Sequence, residues 1–336
     1  MLVRREELKE LMKRKLMAGG LHEDHADQTA EVLTWSSERG LHSHGEVRVE
    51  YYTERIYKGG INVDPKWSWE QTGPCTGVVD GDNGCGYPFA ILGLEKAMGL
   101  AKENGIGVVG VRRVSHTGAL GYYTEMAAKG DLCCLTMCQS DPMVIPYGGA
   151  EPFYGTNPIA FGAPTADERF VNFDMATTVQ AWGKILDAKS AGRLIPDDWA
   201  VDVEGNPVTD PHKVNALRAI AGPKGYGLMM VVDILSGVLL GVPSGKNVSS
   251  MYHDLSEGRD LGHLHIVALC GSGRVQGADE PDPRRAWRRQ ACPGLRQGLL
   301  PGGAGAHPQG EVRCGGWHRD SRQHLRLPRL RQTLDS

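Results

Sequence analysis

The sequence has no strong excess of either charge. Its formal net charge is −3 over 336 residues, so the composition does not indicate binding to nucleic acid or to an anionic membrane. A typical membrane span is also missing, because the most apolar stretch, Tyr226–Val242, is short for one and contains Asp233 and Ser236. The N-terminal segment is charged and amphipathic, and it lacks the apolar core of a signal peptide. These absences predict a cytoplasmic protein.

Aromatic residues are few, at 7%, whereas the 45 glycines are about twice the ordinary usage. Glycine at this frequency favours tight turns and close approach of the backbone to ligands. The eight cysteines, in a long chain without an export signal, indicate free thiols in a reducing compartment. A chain of 336 residues exceeds the usual size of one core, which favours two lobes.

The first candidate site lies among predicted N-terminal helices. Apolar spacing predicts a helix that ends at Gly19-Gly20, a second over Asp24–Glu38 and a third over Val47–Lys58. Between the last two lies a turn-like segment that contains two histidines, and the third helix places an arginine and a tyrosine on one face. The residues concerned are His42, Ser43, His44, Arg48 and Tyr52.

These side chains suit recognition of a small hydroxy or keto acid. The fork of Arg48 binds a carboxylate, and His44 or Ser43 bonds the adjacent oxygen. The alternative is a capped helix start with a solvated arginine. A zinc site from His42 and His44 is a weaker alternative, because no third ligand follows at a typical spacing.

The second candidate is His116, in a region where strands and helices alternate. Strands are predicted over Thr76–Asp80, Ile106–Val111 and Leu132–Cys138, with helices between them. His116 follows the second of these strands. Histidine titrates near neutrality and suits transfer of a hydroxyl proton. The alternative is a histidine at a helix start that bonds only the backbone.

The third candidate is a nucleotide site around the turn-rich segment Thr136–Thr178, for which an ordered surface loop is the alternative. A lysine beside glycines precedes an apolar helix, Leu228–Leu240, which we expect to be buried in the core. No GxGxxG follows a predicted strand up to residue 269, so a Rossmann site is not supported. The candidate contacts are Ser140, Asp174, Met175, Ala176, Lys224 and Gly225.

The composition changes near Leu269. Beyond it there is no Lys, Ile, Phe, Tyr, Asn or Met, and Arg, Gly, Pro and Gln recur without apolar periodicity. Such a segment cannot bury enough apolar surface to offset chain entropy. We therefore expect an N-terminal helical region (1–72), an α/β cofactor-binding domain (73–267) and a disordered tail (268–336). Off-frame translation of a GC-rich gene would produce this tail; the neighbouring frame would then encode an aliphatic, helix-patterned continuation.

Five motifs carry a resemblance to a known family: LHSHGEVRVEYY, VSHTGALGYY, MCQSDPMVIPYGGAEPFYGTNPIAFGAP, FDMATT and GPKGYGLMMVVDILSGVLLG. They resemble the malate/L-lactate dehydrogenase family, which is distinct from the Rossmann-type lactate dehydrogenases. The resemblance implies an α/β fold with a non-Rossmann NAD(P)-binding architecture and an N-terminal helical region. It also implies a homodimer or a larger homo-oligomer.

The resemblance further implies roles for individual residues. His116 is the expected catalytic histidine and His44 the substrate-side histidine, with Ser43 and Arg48 beside it, and the six candidate nucleotide contacts take the family's cofactor positions. NAD is the expected cofactor, with NADP as the alternative. The expected reaction is hydride transfer from a small 2-hydroxy acid. The alternatives are another substrate (malate, lactate or diketogulonate) and an inactive product, since the family's C-terminal segment has no match here.

Overall fold

The computed structural model describes residues 2–165 and 170–270, together with the backbone of residues 311–313. The α-helices of this part are α1 (Arg5–Ala18), α2 (Glu23–Glu38), α3 (Val49–Tyr57), α4 (Gly86–Asn104), α5 (Gly121–Lys129), α6 (Trp182–Ser190) and α7 (Pro223–Ser236). The strands are β1 (Leu2–Arg4), β2 (Ser68–Gly73), β3 (Thr76–Gly84), β4 (Ile106–Val114), β5 (Leu132–Cys138), β6 (Ile159–Pro164), β7 (Phe170–Met175), β8 (Ala200–Val201), β9 (Ala216–Leu217), β10 (Leu261–Leu269) and β11 (Glu311–Arg313).

A seven-stranded sheet forms the centre, in the order β2-β3-β4-β10-β5-β6-β7. Only β3 and β4 pair in parallel; the other neighbours are antiparallel. A Rossmann sheet is mostly parallel, so the expected non-Rossmann α/β fold is confirmed. In the register of β10, Leu261 pairs with Val114 and His263 with Cys138. The start of β10 and the ends of β4 and β5 therefore meet at one edge of the sheet.

The N-terminal helices share one apolar core with the sheet. Leu16 of α1, Leu33 of α2, Phe89 of α4 and Val111 of β4 belong to the same cluster of buried side chains. Each fully buried side chain of this size contributes about 1.5–3 kcal/mol relative to exposure. The helices that carry the first candidate site are therefore fixed against the strands that carry the second.

A second, smaller core lies under the segment that follows β5. It includes Val144, Ile185, Leu217 and Met229, so it joins the turn-rich segment to α6, β9 and α7. Two further small clusters of buried apolar side chains lie elsewhere in the described residues. The cofactor candidates lie around this second core.

Several predicted elements are confirmed: the three N-terminal helices, α4, α5 and β5. Strand β3 extends beyond its predicted end at Asp80 and continues to Gly84, with Asp82 (φ 48°) and Asn83 (φ 57°) as an irregularity in its pairing. Strands β2 and β6 were not predicted. Strand β2 is a mostly exposed edge strand without apolar alternation, and β6 lies inside a stretch rich in turn residues.

The prediction that the apolar helix is buried in the core is also wrong. Helix α7 buries Met229, Val232 and Ser236, but Met230, Val231 and Ile234 are 38–46% exposed. When apolar residues occur on every side of a helix, the sequence does not indicate which side packs against the rest of the protein. By length and hydropathy alone, Pro223–Leu240 is apolar enough to cross a membrane, a test that core helices also pass.

Most of the predicted disordered tail, 268–336, lies outside the described residues. Strand β10 continues to Leu269, which pairs with Leu132, so the sheet extends to the point where the composition changes. The backbone of Glu311–Arg313 pairs with Leu2–Arg4.

Candidate active site

His116 lies at the edge where β4, β5 and β10 meet. It follows the end of β4 and precedes α5. The backbone N–H of Gly86, at the start of α4, donates to Ser115 Oγ (2.9 Å). A Cβ at Gly86 would lie 2.2 Å from the Ser115 carbonyl oxygen, so glycine is required for this close approach. Two helix starts thus fix the loop that carries the imidazole.

The ring of His116 is held by two tyrosines from other elements. Tyr52 Oη lies 2.7 Å from His116 Nδ1 and 2.8 Å from Tyr87 Oη. If Nδ1–H donates to Tyr52, and Tyr52 donates to Tyr87, then Nε2 keeps a free lone pair. Nε2 has no hydrogen-bond partner among the described residues. This tautomer gives a base with its accepting nitrogen available.

His44, Ser43 and Arg48 lie beside His116. The rings of His44 and His116 are 5.8 Å apart, and Ser43 Oγ is 3.0 Å from His44 Nδ1. Arg48 Nε donates to the Ser43 carbonyl (2.6 Å), and its Nη1 donates to Tyr252 Oη (3.0 Å). No carboxylate pairs with Arg48 within the described ranges. An arginine held by neutral groups, with Nη2 unused, is suited to bind an anionic ligand.

Tyr52 was predicted as a substrate-side residue. In the structure it is 1% exposed, and its hydroxyl is engaged by His116 and Tyr87. Its observed contacts therefore orient the imidazole.

Burial and positive neighbours keep both imidazoles uncharged at neutral pH. Burial lowers the pKa of His116 well below its usual value, and Arg48, His44 and Arg259 lower it further. Burial and Arg48 lower the pKa of His44 to about 4. An unprotonated imidazole accepts a proton, so the site is set for removal of a proton from a ligand.

The pH dependence of kcat/KM for oxidation should reflect this lowered pKa. A histidine that accepts the substrate proton acts only when unprotonated, so we expect activity to be retained above the folded-state pKa of His116 and lost as the pH falls through it. We expect a constant value from pH 9 to pH 7 and an acid limb below about 6.5, the ordinary value for imidazole. In Arg48→Met, which removes a neighbouring positive charge, the limb should move to higher pH. A limb above pH 7 in the unaltered enzyme would contradict the assignment.

Four of the cofactor candidates lie at the C-terminal ends of β5 and β7, on the same edge of the sheet as His116. Ser140 Oγ accepts from the Thr156 N–H (2.8 Å), and the Thr177 N–H donates to the Thr156 carbonyl (2.9 Å). Thr177 follows Met175 and Ala176 directly, so these residues lie near Ser140. Asp174 Oδ2 accepts from the N–H of Gly121 at the start of α5 (2.8 Å). This contact joins the segment to the helix that follows His116.

Lys224 and Gly225 lie in the first turn of α7, beside the same segment. The Ile220 N–H donates to the Thr177 carbonyl (2.9 Å). A Cβ at Gly225 would lie 1.8 Å from the Ile220 carbonyl oxygen, so only glycine lets α7 start here. A cavity of about 600 Å³ borders Gly222 and is lined also by Tyr147 and Arg218. A helix N-terminus beside such a cavity favours a phosphate-bearing ligand.

The model of the malate/L-lactate dehydrogenase family matches residues 3–273. The chain belongs to this family. It is 55% identical over 267 residues to ureidoglycolate dehydrogenase (NAD(+)) of Escherichia coli O157:H7, covering 80% of this chain and 76% of the relative. It is 39% identical over 259 residues to malate dehydrogenase of Pyrococcus horikoshii, covering 74% and 71%.

Solved structures of the family have the same fold. The sulfolactate dehydrogenase from Methanocaldococcus jannaschii superposes with a TM-score of 0.75 at 35% identity, covering 80% of this chain and 78% of that chain. The match to the family model ends at residue 273, close to the change in composition. The family resemblance predicted from the motifs is therefore confirmed.

The structure brings the predicted family residues into two adjacent groups. One consists of His116, His44, Ser43, Arg48 and Tyr52, and the other consists of the six cofactor candidates. Asp141 connects them, because it follows Ser140 and accepts from the N–H of Met251 (3.0 Å), whose Sδ contacts Arg48. Within the described ranges no three His, Cys, Asp or Glu side chains are placed to hold a metal ion. His42 instead bonds Glu46.

Four residues around this site were not predicted from the sequence: Tyr87, Asp141, Tyr252 and Arg259. The last two belong to the polar stretch VSSMYHDLSEGRDLGHLHIV, which has no apolar period before β10. A long polar connection ahead of a buried strand is the signal that could have identified them.

Replacing Tyr52 with phenylalanine should lower kcat by about 10- to 100-fold, because His116 loses the partner that fixes its tautomer. The KM for the cofactor should stay unchanged. Tyr87→Phe is the matched control, since it leaves the bond from Tyr52 to His116 in place, and its effect should be smaller. Equal losses in both variants, measured by steady-state kinetics, would indicate a packing role only.

Proposed function

We propose that this protein oxidises (S)-ureidoglycolate to oxalurate with NAD+ as the hydride acceptor. The observation that carries the proposal is the 55% identity to ureidoglycolate dehydrogenase (NAD(+)) over 267 residues. The stretches TMCQSDPMVIPYGGAE and FDMATTVQAWGKILDA carry the same resemblance in the segments that form the site. The site supports it with an unpaired guanidinium beside an uncharged imidazole.

The residues present fit a dinucleotide. Lys224 and the first turn of α7 would hold its phosphates, and Ser140 and Ala176 would contact the remainder. When bound, NAD+ accepts the hydride that leaves carbon 2 of the substrate.

The chain's own residues bind the substrate and take its proton. Arg48 binds the carboxylate through its unused Nη2, which fixes the 2-hydroxyl against His116 Nε2. As the C2–H electron pair leaves, the O–H bond breaks, its proton passes to Nε2 and the C2=O bond forms. His44 and Ser43 hold the developing carbonyl oxygen. Tyr52 stabilises the resulting imidazolium by accepting from Nδ1–H.

An assay of NADH absorbance with a panel of 2-hydroxy acids tests the proposal. The panel contains ureidoglycolate, malate, lactate and reduced diketogulonate, each with NAD+ and with NADP+. We expect kcat/KM for (S)-ureidoglycolate with NAD+ to exceed every other combination by at least about tenfold, which corresponds to about 1.4 kcal/mol of discrimination. A preference for malate would reject the substrate assignment.

Oxidation of another 2-hydroxy acid is the second candidate. The relative from Pyrococcus horikoshii is named a malate dehydrogenase, and Arg48 would bind the carboxylate of malate equally well. The same panel decides between the two candidates.

We also propose that the enzyme is a cytoplasmic homodimer or larger homo-oligomer. The exposed apolar side of α7, with Val231 and Ile234, suits burial against a second copy. Sedimentation of Val231→Glu against the unaltered chain tests this proposal. A monomer in both samples would contradict it.

A further inference from the structure

Arg259 is a buried cation with one unsatisfied arm. It is 2% exposed. Its Nη2 donates to Asp141 Oδ1 (3.2 Å) and its Nε donates to Ser249 Oγ (3.2 Å). Its Nη1 is buried and has no hydrogen-bond partner among the described residues. A buried donor left without an acceptor is destabilising, and this nitrogen is therefore free to donate to a ligand.

The sheet register brings Arg259 to the catalytic edge. Leu261 pairs with Val114 in the antiparallel pair of β10 and β4. Arg259 lies two residues before Leu261, and His116 lies two residues after Val114. Because β10 and β4 are antiparallel, both residues continue past the same end of this strand pair. On the other side of β10, Asp141 continues from the end of β5. The positive charge of Arg259 also contributes to the low pKa of His116.

A chain of contacts joins Arg259 to the carboxylate-binding arginine. Asp141 accepts from Arg259 with one oxygen and from the Met251 N–H with the other. Met251 in turn contacts Arg48 Nη1 through its Sδ (3.8 Å). The two guanidinium groups are thus connected through Asp141 and Met251, and the charge of each lowers the pKa of His116.

Arg55, the other buried arginine of the described residues, differs from Arg259. Its Nη1 donates to Tyr51 Oη, and its Nη2 donates to the Glu257 carbonyl. Only its Nε is without a partner in the described ranges, so both terminal nitrogens are occupied by the protein and Arg55 holds the connection before β10 in place. Of these two buried arginines, Arg259 is the one that keeps a terminal nitrogen for a ligand.

We propose that Arg259 is a specificity residue whose Nη1 donates to the acceptor at the far end of the substrate. In ureidoglycolate this acceptor is the ureido carbonyl oxygen, whereas Arg48 binds the carboxylate at the near end. The inference rests on the proposed function for the identity of the group, but the same nitrogen would receive the second carboxylate of a dicarboxylic substrate. Arg259 thus selects 2-hydroxy acids that carry a second acceptor over those that end in an alkyl group.

Binding of paired ligands to the full-length protein saturated with NAD+, which cannot reduce a 2-oxo acid, tests this proposal. Oxalurate and oxamate share the 2-oxo acid end, but only oxalurate carries the ureido group; oxaloacetate and pyruvate form a second pair. Dissociation constants are measured by isothermal titration calorimetry. In Arg259→Met, oxalurate should bind about 10- to 100-fold more weakly, the loss of one charged hydrogen bond. Oxamate should change by less than about threefold.

Two further variants separate recognition from folding. Arg259→Lys keeps a cation for Asp141 but has no second arm, so it should also lose affinity for oxalurate and retain oxamate binding. Arg193→Met removes an exposed arginine that pairs with Asp187 outside the site and should change neither ligand. The proposal is overturned if Arg259→Met and Arg259→Lys lower the affinity for both ligands of each pair equally. It is also overturned if they lower the affinity for none of the ligands.

Failure of the Arg259 proposal and failure of the ureidoglycolate assignment give different results. If the unaltered enzyme does not oxidise ureidoglycolate, the substrate assignment fails. A selective loss of oxaloacetate over pyruvate in Arg259→Met would still assign the far-end contact to Arg259.

Discussion

Replacing His116 with alanine is expected to lower kcat for oxidation by about 10³-fold, within the range that a positioned general base contributes. The imidazole is uncharged at neutral pH and turns a free nitrogen toward the site, so no other described group there is equally placed to take the hydroxyl proton. Affinity for NADH, measured by fluorescence, should remain unchanged. His212→Ala removes an exposed histidine away from this edge and should retain full activity.

Two results would contradict this role of His116. Turnover within threefold of the unaltered enzyme would exclude His116 as the base. Loss of NADH affinity together with kcat would instead indicate that the loop before α5 had collapsed, and thermal unfolding of the variant separates that case. Partial rescue by added imidazole would support direct proton transfer.

Replacing Arg48 with methionine should lower kcat/KM for the hydroxy acid by about 10²- to 10³-fold, the loss of two charged hydrogen bonds. Most of this loss should be in KM, because the carboxylate is bound in both the ground state and the transition state. The dissociation constant for NADH should not change. Competitive inhibition by oxamate should weaken in parallel, since oxamate retains the same carboxylate.

Arg48→Lys provides the matched comparison. Lysine keeps the charge but cannot bond Ser43, Tyr252 and a carboxylate at once, so it should recover only part of the loss. If Arg48→Met binds oxamate normally, the substrate carboxylate is held elsewhere. Arg259 would then be the first residue to test.

The elements that the sequence predicts well are those determined by local pattern. The helical period of α1 and α2 and the apolar run of β5 identify those elements without tertiary information. His116 at a strand end and Arg48 beside His44 follow from the same local pattern. The roles of His116 and Arg48 could be predicted only from the family motifs, because a single histidine or arginine in such a position can also serve a purely structural purpose.

The features that remained unpredicted depend on contacts distant in sequence. Arg259 and Asp141 are 118 residues apart, and no periodicity in either segment indicates their pairing. Helical spacing places Tyr52 beside Arg48 and predicts a contact with the substrate; the contacts of its hydroxyl with Tyr87 and His116 join positions 35 and 64 residues away, which no local pattern indicates. Helix α7 was placed in the core because its composition cannot indicate which neighbours are present.

The position of β10 in the sheet determines how far along the chain the encoded sequence must be intact for the central sheet to form. Strands β4 and β5 are close in sequence, yet they do not pair with each other, because a strand made more than 120 residues later lies between them and pairs with both. A ribosome that has synthesised only the first 250 residues has produced two facing strand edges with no partner, the kind of surface that promotes aggregation. A lesion in the gene upstream of codon 261 would leave that gap permanent, whereas one that begins after codon 269 spares every strand of the central sheet.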